Sequence, residues 1–250
     1  MTTDRTKTIA IVGAGPGLGL SLARRFGSNG YRVALLARTR SRLDEHVALL
    51  AQEGIEASAH EVDVLDRPGL ARTLRDIERA HESIDVLAYS PTPLGSALRE
   101  PEHIDVAAAM HQLEYSLLGA IESVQAVLPG MLQRGDGALL FTGGYSARYP
   151  IPSHASAGLA LAAQRNYAYV LNRSLADRGV YAGTVTVAGL ILRSRTGDEV
   201  LAAPPEVRTA LEPLLVDPDE IAGVYWDMVA ERDRVEEIVG NPQLVEATIK

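Results

Sequence analysis

Short apolar runs alternate with segments of helical periodicity along almost the whole chain. The runs are rich in valine and isoleucine and predict strands, which are Thr8–Val12, Arg32–Ala37, Ile55–Val62, Ile84–Tyr89, Ala138–Thr142, Gly183–Val187 and an edge strand at Val235–Val239. Apolar residues at helical spacing lie between them at Leu18–Phe26, Leu43–Gln52, Leu70–Ala80 and Leu113–Leu132. This alternation is typical of a parallel sheet with helices on both faces. The pattern therefore predicts a single α/β, doubly wound domain over residues 1–250.

A glycine-rich segment joins the first predicted strand to the first predicted helix. It has the spacing G-x-x-x-G-x-G and reads Gly13-Ala14-Gly15-Pro16-Gly17-Leu18-Gly19. Glycines permit a tight turn here, and their N–H groups, together with the positive end of the following helix, bind a pyrophosphate. The segment predicts a dinucleotide site whose candidate residues are Gly13, Gly15, Pro16, Gly17, Leu18 and Gly19. An ordinary glycine turn is the alternative.

Three arginines, Arg38, Arg40 and Arg42, follow the second predicted strand. A protein that binds NAD(H) normally carries a carboxylate near this point for the ribose 2′-hydroxyl. Guanidinium groups instead bind a 2′-phosphate through charge-assisted hydrogen bonds. We therefore expect NADP(H) as the cofactor, with Arg38 as the phosphate ligand. A solvated helix start is the alternative interpretation of the arginines.

Taken together, these segments resemble the short-chain dehydrogenase/reductase family. The similarity extends to Asp63-Val64 after the third strand, Leu128-Pro129 in the fourth helix and Arg178–Val180 before the sixth strand. The resemblance implies a Rossmann fold with the strand order 3-2-1-4-5-6-7 and a nicotinamide cofactor. It also places Asp63-Val64 beside the adenine and adds Ser90, in the loop after the fourth strand, to the cofactor residues.

The family's usual Ser-Tyr-Lys catalytic set, assisted by an Asn, is not found at the matching positions. Counting along the matching segments gives those four positions as Gly144, Ala157, Leu161 and Ser116. No lysine lies between Lys7 and Lys250. In the family, the Tyr transfers the alcohol proton and the Lys lowers the pKa of that Tyr. Carbonyl reduction by the usual family route is therefore not expected.

The segment from Gly144 to Ala163 is also partly similar to the enoyl-ACP reductase branch of the family. That similarity puts His154 at a catalytic Tyr position and matches a second Tyr of the branch to Tyr145. An imidazole titrates near neutrality and can protonate an enolate or enamine, while a tyrosine can polarise a carbonyl. His154 and Tyr145 are therefore candidate catalytic residues, with Ser146 as a further candidate. For His154, an exposed residue at a helix start is the alternative.

Composition and charge limit the possible partners. The chain has no cysteine, and its net charge of −8 arises from 24 basic and 32 acidic residues. Cysteine metal sites and disulfides are excluded, and no clustered basic surface for nucleic acid is indicated. The amino end has no signal-peptide core, and no apolar run is long enough to cross a bilayer. We expect a cytoplasmic protein that acts on a small molecule and has no metal site.

Three functions remain open at this point. The first is an NADPH-dependent reductase of an enone, imine or iminium, with a rearranged proton donor. The second is a non-redox enzyme, a cyclase, isomerase or dehydratase, that keeps the cofactor pocket. The third is a non-catalytic NADP(H) sensor or a partner subunit. The resemblance also implies a homodimer or homotetramer, and it places residues 190–215 over the substrate.

Overall fold

The computed structural model describes residues 5–91 and 98–248. Its strands are β1 (Thr8–Val12), β2 (Arg32–Ala37), β3 (Ala57–Glu61), β4 (Val86–Tyr89), β5 (Gly137–Gly144), β6 (Val180–Ala188), β7 (Leu190–Ile191), β8 (Leu215–Val216) and β9 (Glu236–Gly240). Its α-helices are α1 (Leu18–Gly27), α2 (Arg40–Gln52), α3 (Arg67–His81), α4 (Val106–Leu113), α5 (Gly119–Arg134), α6 (Ala155–Leu175), α7 (Arg195–Leu201), α8 (Pro205–Leu211), α9 (Pro218–Glu231) and α10 (Pro242–Thr248).

Within these ranges, seven strands form one parallel sheet in the order β3-β2-β1-β4-β5-β6-β9. The predicted doubly wound fold and strand order are confirmed, because β9 is the seventh strand of this sheet. The short strands β7 and β8 pair separately, at the two ends of the region expected over the substrate. The third strand is shorter than predicted and covers Ala57–Glu61 rather than Ile55–Val62.

The strands are apolar because both faces of the sheet are covered. Successive residues of β1, Ile11 and Val12, point to opposite faces and join different cores. On one face Ile11 shares its core with Phe26 of α1 and Tyr225 of α9. On the other, Val12 shares its core with residues of α3, α5 and α6, including Val127. None of the described helices is both long and apolar enough to pass through a membrane.

The predicted helix Leu113–Leu132 is helical throughout, but it is part of a longer helical segment and is not α-helical over its whole length. Helix α4 ends at Leu113, a π-helical turn covers Glu114–Leu118, and α5 begins at Gly119. Two carbonyls of this turn accept hydrogen bonds from distant side chains. The Tyr89 hydroxyl donates to the Tyr115 carbonyl at 2.6 Å, and Gln164 Nε2 donates to the Ser116 carbonyl at 2.8 Å. These tertiary bonds satisfy carbonyls at a point where the α-helical pattern is interrupted.

A buried carboxylate at the start of β9 fixes the loop after β5 against the sheet. The side chain of Glu236 is 4% exposed. It accepts hydrogen bonds from Arg165 at 2.6 Å, Tyr169 at 2.7 Å, Thr186 at 2.6 Å and Arg148 at 2.8 Å. Burial alone would raise the pKa of Glu236, but the hydrogen bonds from Arg165, Thr186 and Tyr169 lower it to about 2.

The substitution Glu236→Gln is expected to lower the free energy of unfolding by about 2 kcal/mol at neutral pH, because hydrogen bonds to a charged group contribute about 1.5–3 kcal/mol. The pKa of Glu236 is about 2 in the folded state, below its ordinary value of 4.5. Its stabilisation is therefore complete above pH 4.5 and is lost as the pH falls toward 2. Urea unfolding over this pH range should show the two proteins converging in stability.

The matched control is Glu45→Gln, which removes an exposed carboxylate of α2. It should leave the free energy of unfolding within about 0.5 kcal/mol of the parent value. An equal loss of unfolding free energy in both variants would contradict the assigned role of Glu236. So would a loss in Glu236→Gln that stays constant as the pH falls.

Candidate active site and cofactor site

The loop after β1 lies against the main chain of its neighbours in the sheet. The N–H groups of Gly13 and Ala14 both donate to the Leu36 carbonyl, at 2.9 and 3.1 Å. Gly13 has a φ of 88°. A Cβ at Gly13 would lie 2.6 Å from the Pro91 nitrogen. Both the conformation and the close approach therefore require glycine at this position.

The other glycines of the loop differ in how closely neighbouring atoms approach them. A Cβ on Gly19 would lie 2.6 Å from the Ala14 Cα, and one on Gly17 would lie 3.0 Å from the Leu192 carbonyl oxygen. By contrast, Gly15 has no described atom within 4 Å of its Cβ position. The exposed Pro16 and the buried Leu18 complete the candidate set.

The amino end of α1 faces this loop without a cap. No side chain in the described ranges hydrogen-bonds to the first turn, and the turn carries no carboxylate. The amide groups of the first turn and the positive end of the helix dipole therefore suit an anion. With the open surface at Gly15, this donor set fits the pyrophosphate of a dinucleotide.

The residues that follow β2 suit a second phosphate. Arg38 is exposed and makes no ion pair with any residue that the structure describes. Its guanidinium carbon lies 5.8 Å from the centre of the Tyr115 ring. Thr39 precedes α2 without a side-chain hydrogen bond to it. Arg40 differs, because its guanidinium binds Asp44 at 2.9 Å. Arg38 and the amino end of α2 together fit a 2′-phosphate.

Asp63, Val64 and Ser90 lie at the carboxyl ends of β3 and β4. The Asp63 carboxylate accepts the N–H of Leu65 at 3.0 Å, so its orientation is fixed locally. Val64 is buried, and Ser90 is half-buried. The Ser90 N–H donates to the Val12 carbonyl at 2.9 Å. These residues share the edge of the sheet where doubly wound folds bind their ligands.

Gly144, Ala157 and Leu161, which the sequence resemblance assigns to three of the family's four catalytic positions, are uncharged and are called the uncharged wall. A Cβ on Gly144 would lie 3.4 Å from Leu161 Cδ1 and 3.8 Å from Ser146 Oγ. Ala157 precedes Leu161 by four residues on α6, so the two share a helix face. Sequence spacing gave Ser146 as a candidate, and the geometry brings its hydroxyl close to the position where a serine side chain at Gly144 would begin.

His154 lies at the start of α6 and is half-buried. Its Nδ1 is 3.0 Å from Ser153 Oγ. Burial lowers the pKa of His154 below its ordinary value of 6.5. The imidazole is therefore mostly neutral at neutral pH.

The hydroxyl of Tyr145 is already engaged. It donates to Glu246 Oε1 at 2.5 Å, and the tyrosine ring stacks on Tyr149 with 5.8 Å between centroids. The hydrogen bond to Glu246 raises the pKa of Tyr145. Sequence reasoning missed Glu246, because it lies 101 residues further along the chain and no local signal links the two.

A small group of metal-type ligands occurs in the described part of the chain. Ligand atoms of Glu100, Glu102 and His103 lie within 4.8 Å of one another, and all three residues are exposed. Sequence spacing did not single out this group. Exposed acidic clusters of this kind are common without an ion, and no metal role is assigned to it.

The short chain dehydrogenase family model matches residues 7–194, so the chain belongs to this family. A short chain dehydrogenase of Pseudocercospora fijiensis is 27% identical over 176 residues, which cover 70% of this chain and 56% of that protein. The chain thus spans little more than half the length of this relative. An NADP-dependent 3-hydroxy acid dehydrogenase of Salmonella typhi is 27% identical over 227 residues, 87% of each chain.

Among solved structures, L-sorbose reductase from Gluconobacter frateurii, complexed with NADPH and L-sorbose, has a similar fold. The TM-score is 0.85, the identity is 21%, and the match covers 96% of this chain and 97% of that one. At this identity the similarity establishes the fold of the chain, not its substrate.

The contrast between Gly13 and Gly15 gives a direct test of the loop geometry. Gly13→Ala is expected to lower the free energy of unfolding by at least about 2 kcal/mol, because alanine is strained at this φ and its Cβ meets rigid main chain. Gly15→Ala should stay within about 0.5 kcal/mol of the parent, because the space is open. Urea unfolding of the two variants measures the difference. Equal stabilities would contradict the close approach at Gly13.

Proposed function

We propose that this chain is an NADPH-dependent reductase whose substrate carries an already polarised C=N or C=C bond, as in an iminium, imine or enone. The uncharged wall of Gly144, Ala157 and Leu161 carries this proposal. A ketone develops a localised negative charge on oxygen as hydride adds, whereas an enone spreads the charge over an enolate, so ketone reduction gains most from a nearby acid. An iminium carbon is electrophilic already and accepts hydride without one.

The glycine loop and Arg38 support NADPH as the hydride source. When bound, NADPH supplies the hydride. The amides at the start of α1 would hold the pyrophosphate, and Arg38 would bind the 2′-phosphate. Asp63, Val64 and Ser90 would line the adenosine half of the site.

His154 and Ser146 supply the polar chemistry of the proposal. Reduction of an iminium consumes one hydride and needs no proton, whereas an imine or an enone needs one proton as well. The imidazolium form of His154 would deliver that proton. The Ser146 hydroxyl, close to the vacated side-chain position of Gly144, would donate a hydrogen bond to the substrate. Tyr145 is a weaker donor candidate, because its proton is engaged by Glu246.

Removal of the Arg38 guanidinium tests the cofactor assignment. Arg38→Ala is expected to weaken NADPH binding by about tenfold to a hundredfold and to leave NADH binding unchanged, because only NADPH offers a 2′-phosphate. Isothermal titration calorimetry with both nucleotides measures this. Arg42→Ala, at an exposed position on α2, is the matched control and should bind NADPH like the parent. Equal losses for NADPH and NADH in Arg38→Ala would contradict the assignment.

Substrate class and proton donor are tested by the loss of NADPH absorbance. The parent should reduce methylpyrroline or cyclohexenone in preference to cyclohexanone. Because the pKa of His154 lies below 6.5, its proton-donating form declines as the pH rises above that pKa. The reduction rates of the imine and the enone should therefore fall by about tenfold per pH unit above the pKa of His154.

His154→Ala should lower those rates by about a hundredfold and remove this pH dependence. Reduction of an N-alkylated iminium should change little, because it needs no proton. Product formation without consumption of NADPH would contradict the proposal and favour a non-redox enzyme. A ketone reduced as fast as the imine would contradict the substrate class.

A further inference from the structure

The π-helical turn at Glu114–Leu118 carries an aromatic residue that the proposed reaction does not use. Tyr115 is 5% exposed. Its ring lies 5.8 Å from the Arg38 guanidinium carbon. Burial raises the pKa of its hydroxyl, which is also influenced by the charges of Arg38 and Asp63. Tyr115 is therefore uncharged and lies beside Arg38, which follows β2.

Two buried polar side chains hold this turn in place. Tyr89 is fully buried at the end of β4, and its hydroxyl donates to the Tyr115 carbonyl at 2.6 Å. Gly119 leaves the space for that hydroxyl, because a Cβ there would collide with it. Gln164, 2% exposed, donates to the neighbouring Ser116 carbonyl at 2.8 Å. The position of Tyr115 is thus fixed from both β4 and α6.

We propose that Tyr115 is a specificity-determining residue for the adenosine end of the cofactor. Its ring supports the flat face of the Arg38 guanidinium, and the edge N–H groups remain available for the 2′-phosphate of NADPH. This inference rests on the proposed NADPH-dependent function. A guanidinium is planar, so it stacks on a ring through its face and binds a phosphate through its edge at the same time.

The structure explains why such a support matters here. Arg38 is exposed and has no carboxylate partner in the described ranges, so its flexible side chain has no other anchor of this kind. Ordering a long side chain upon binding costs free energy, and a preformed contact reduces that cost. The contact should favour NADPH over NADH, because only NADPH has a 2′-phosphate for the guanidinium edge. Only NADPH binding therefore gains from an Arg38 side chain that is already ordered.

Calorimetry with NADPH and NADH tests the proposal in the parent, Tyr115→Leu and Tyr115→Phe. Tyr115→Leu is expected to weaken NADPH binding by about fivefold and to leave NADH binding unchanged. Tyr115→Phe keeps the ring and should bind both nucleotides like the parent. In an Arg38→Ala background, Tyr115→Leu should have no effect on NADPH, because the group that the ring supports is gone.

Arg38→Lys provides a second route if Tyr115→Leu fails to fold. This change lies at an exposed position and keeps the charge but removes the planar face, so NADPH binding should weaken by about fivefold or more. Parent-like NADPH binding in Arg38→Lys would overturn the proposal. Unchanged or tighter NADPH binding in Tyr115→Leu would also overturn it. Tighter binding would mean that the ring obstructs the adenosine.

Different results would contradict the proposed function and the role of Tyr115. If the parent binds no NADPH, the proposed function is wrong. If the parent binds NADPH through Arg38 and the Tyr115 variants match it, only the role of Tyr115 is wrong.

Discussion

Close packing of main chain around Gly13 determines the geometry of the whole cofactor edge. The Leu36 carbonyl accepts from both Gly13 and Ala14, and the main chain at Pro91 abuts Gly13 from the other side. The carboxyl ends of β2, β1 and β4 are therefore joined at one point. A side chain at Gly13 would separate them and displace the phosphate loop together with Arg38, which follows β2. The cofactor residues thus depend on one another through the backbone.

The fold was predictable because its cause is local in the sequence. Strands covered on both faces are apolar throughout, and β1 and β2 have the predicted bounds. The interruption at Glu114–Leu118 was not predictable, because apolar spacing continues through it. Its partners are side chains of Tyr89 and Gln164, which become neighbours only after the sheet has formed.

The candidate site likewise has a part that the sequence predicts and a part that only the tertiary structure shows. The phosphate loop and Arg38 are each recognisable from the residues that directly follow a predicted strand, so the sequence alone indicated an anion site. The geometry at Gly144, in contrast, depends on tertiary structure, which brings Leu161 and the Ser146 hydroxyl to it. The bond from Tyr145 to Glu246 likewise joins distant parts of the chain.

The absence of positive charge from the wall bears on the kind of electrophile that it suits. A lysine at the position of Leu161 would repel a cationic substrate, whereas an isobutyl group does not. Burial lowers the pKa of His154, so this residue at the start of α6 is also mostly neutral at neutral pH. The uncharged wall gives little stabilisation to a developing oxyanion, so ketone reduction is slowed. Reduction of an iminium develops no negative charge and is not slowed. In the proposed function, the uncharged residues at these positions thus favour a substrate that brings its own positive charge.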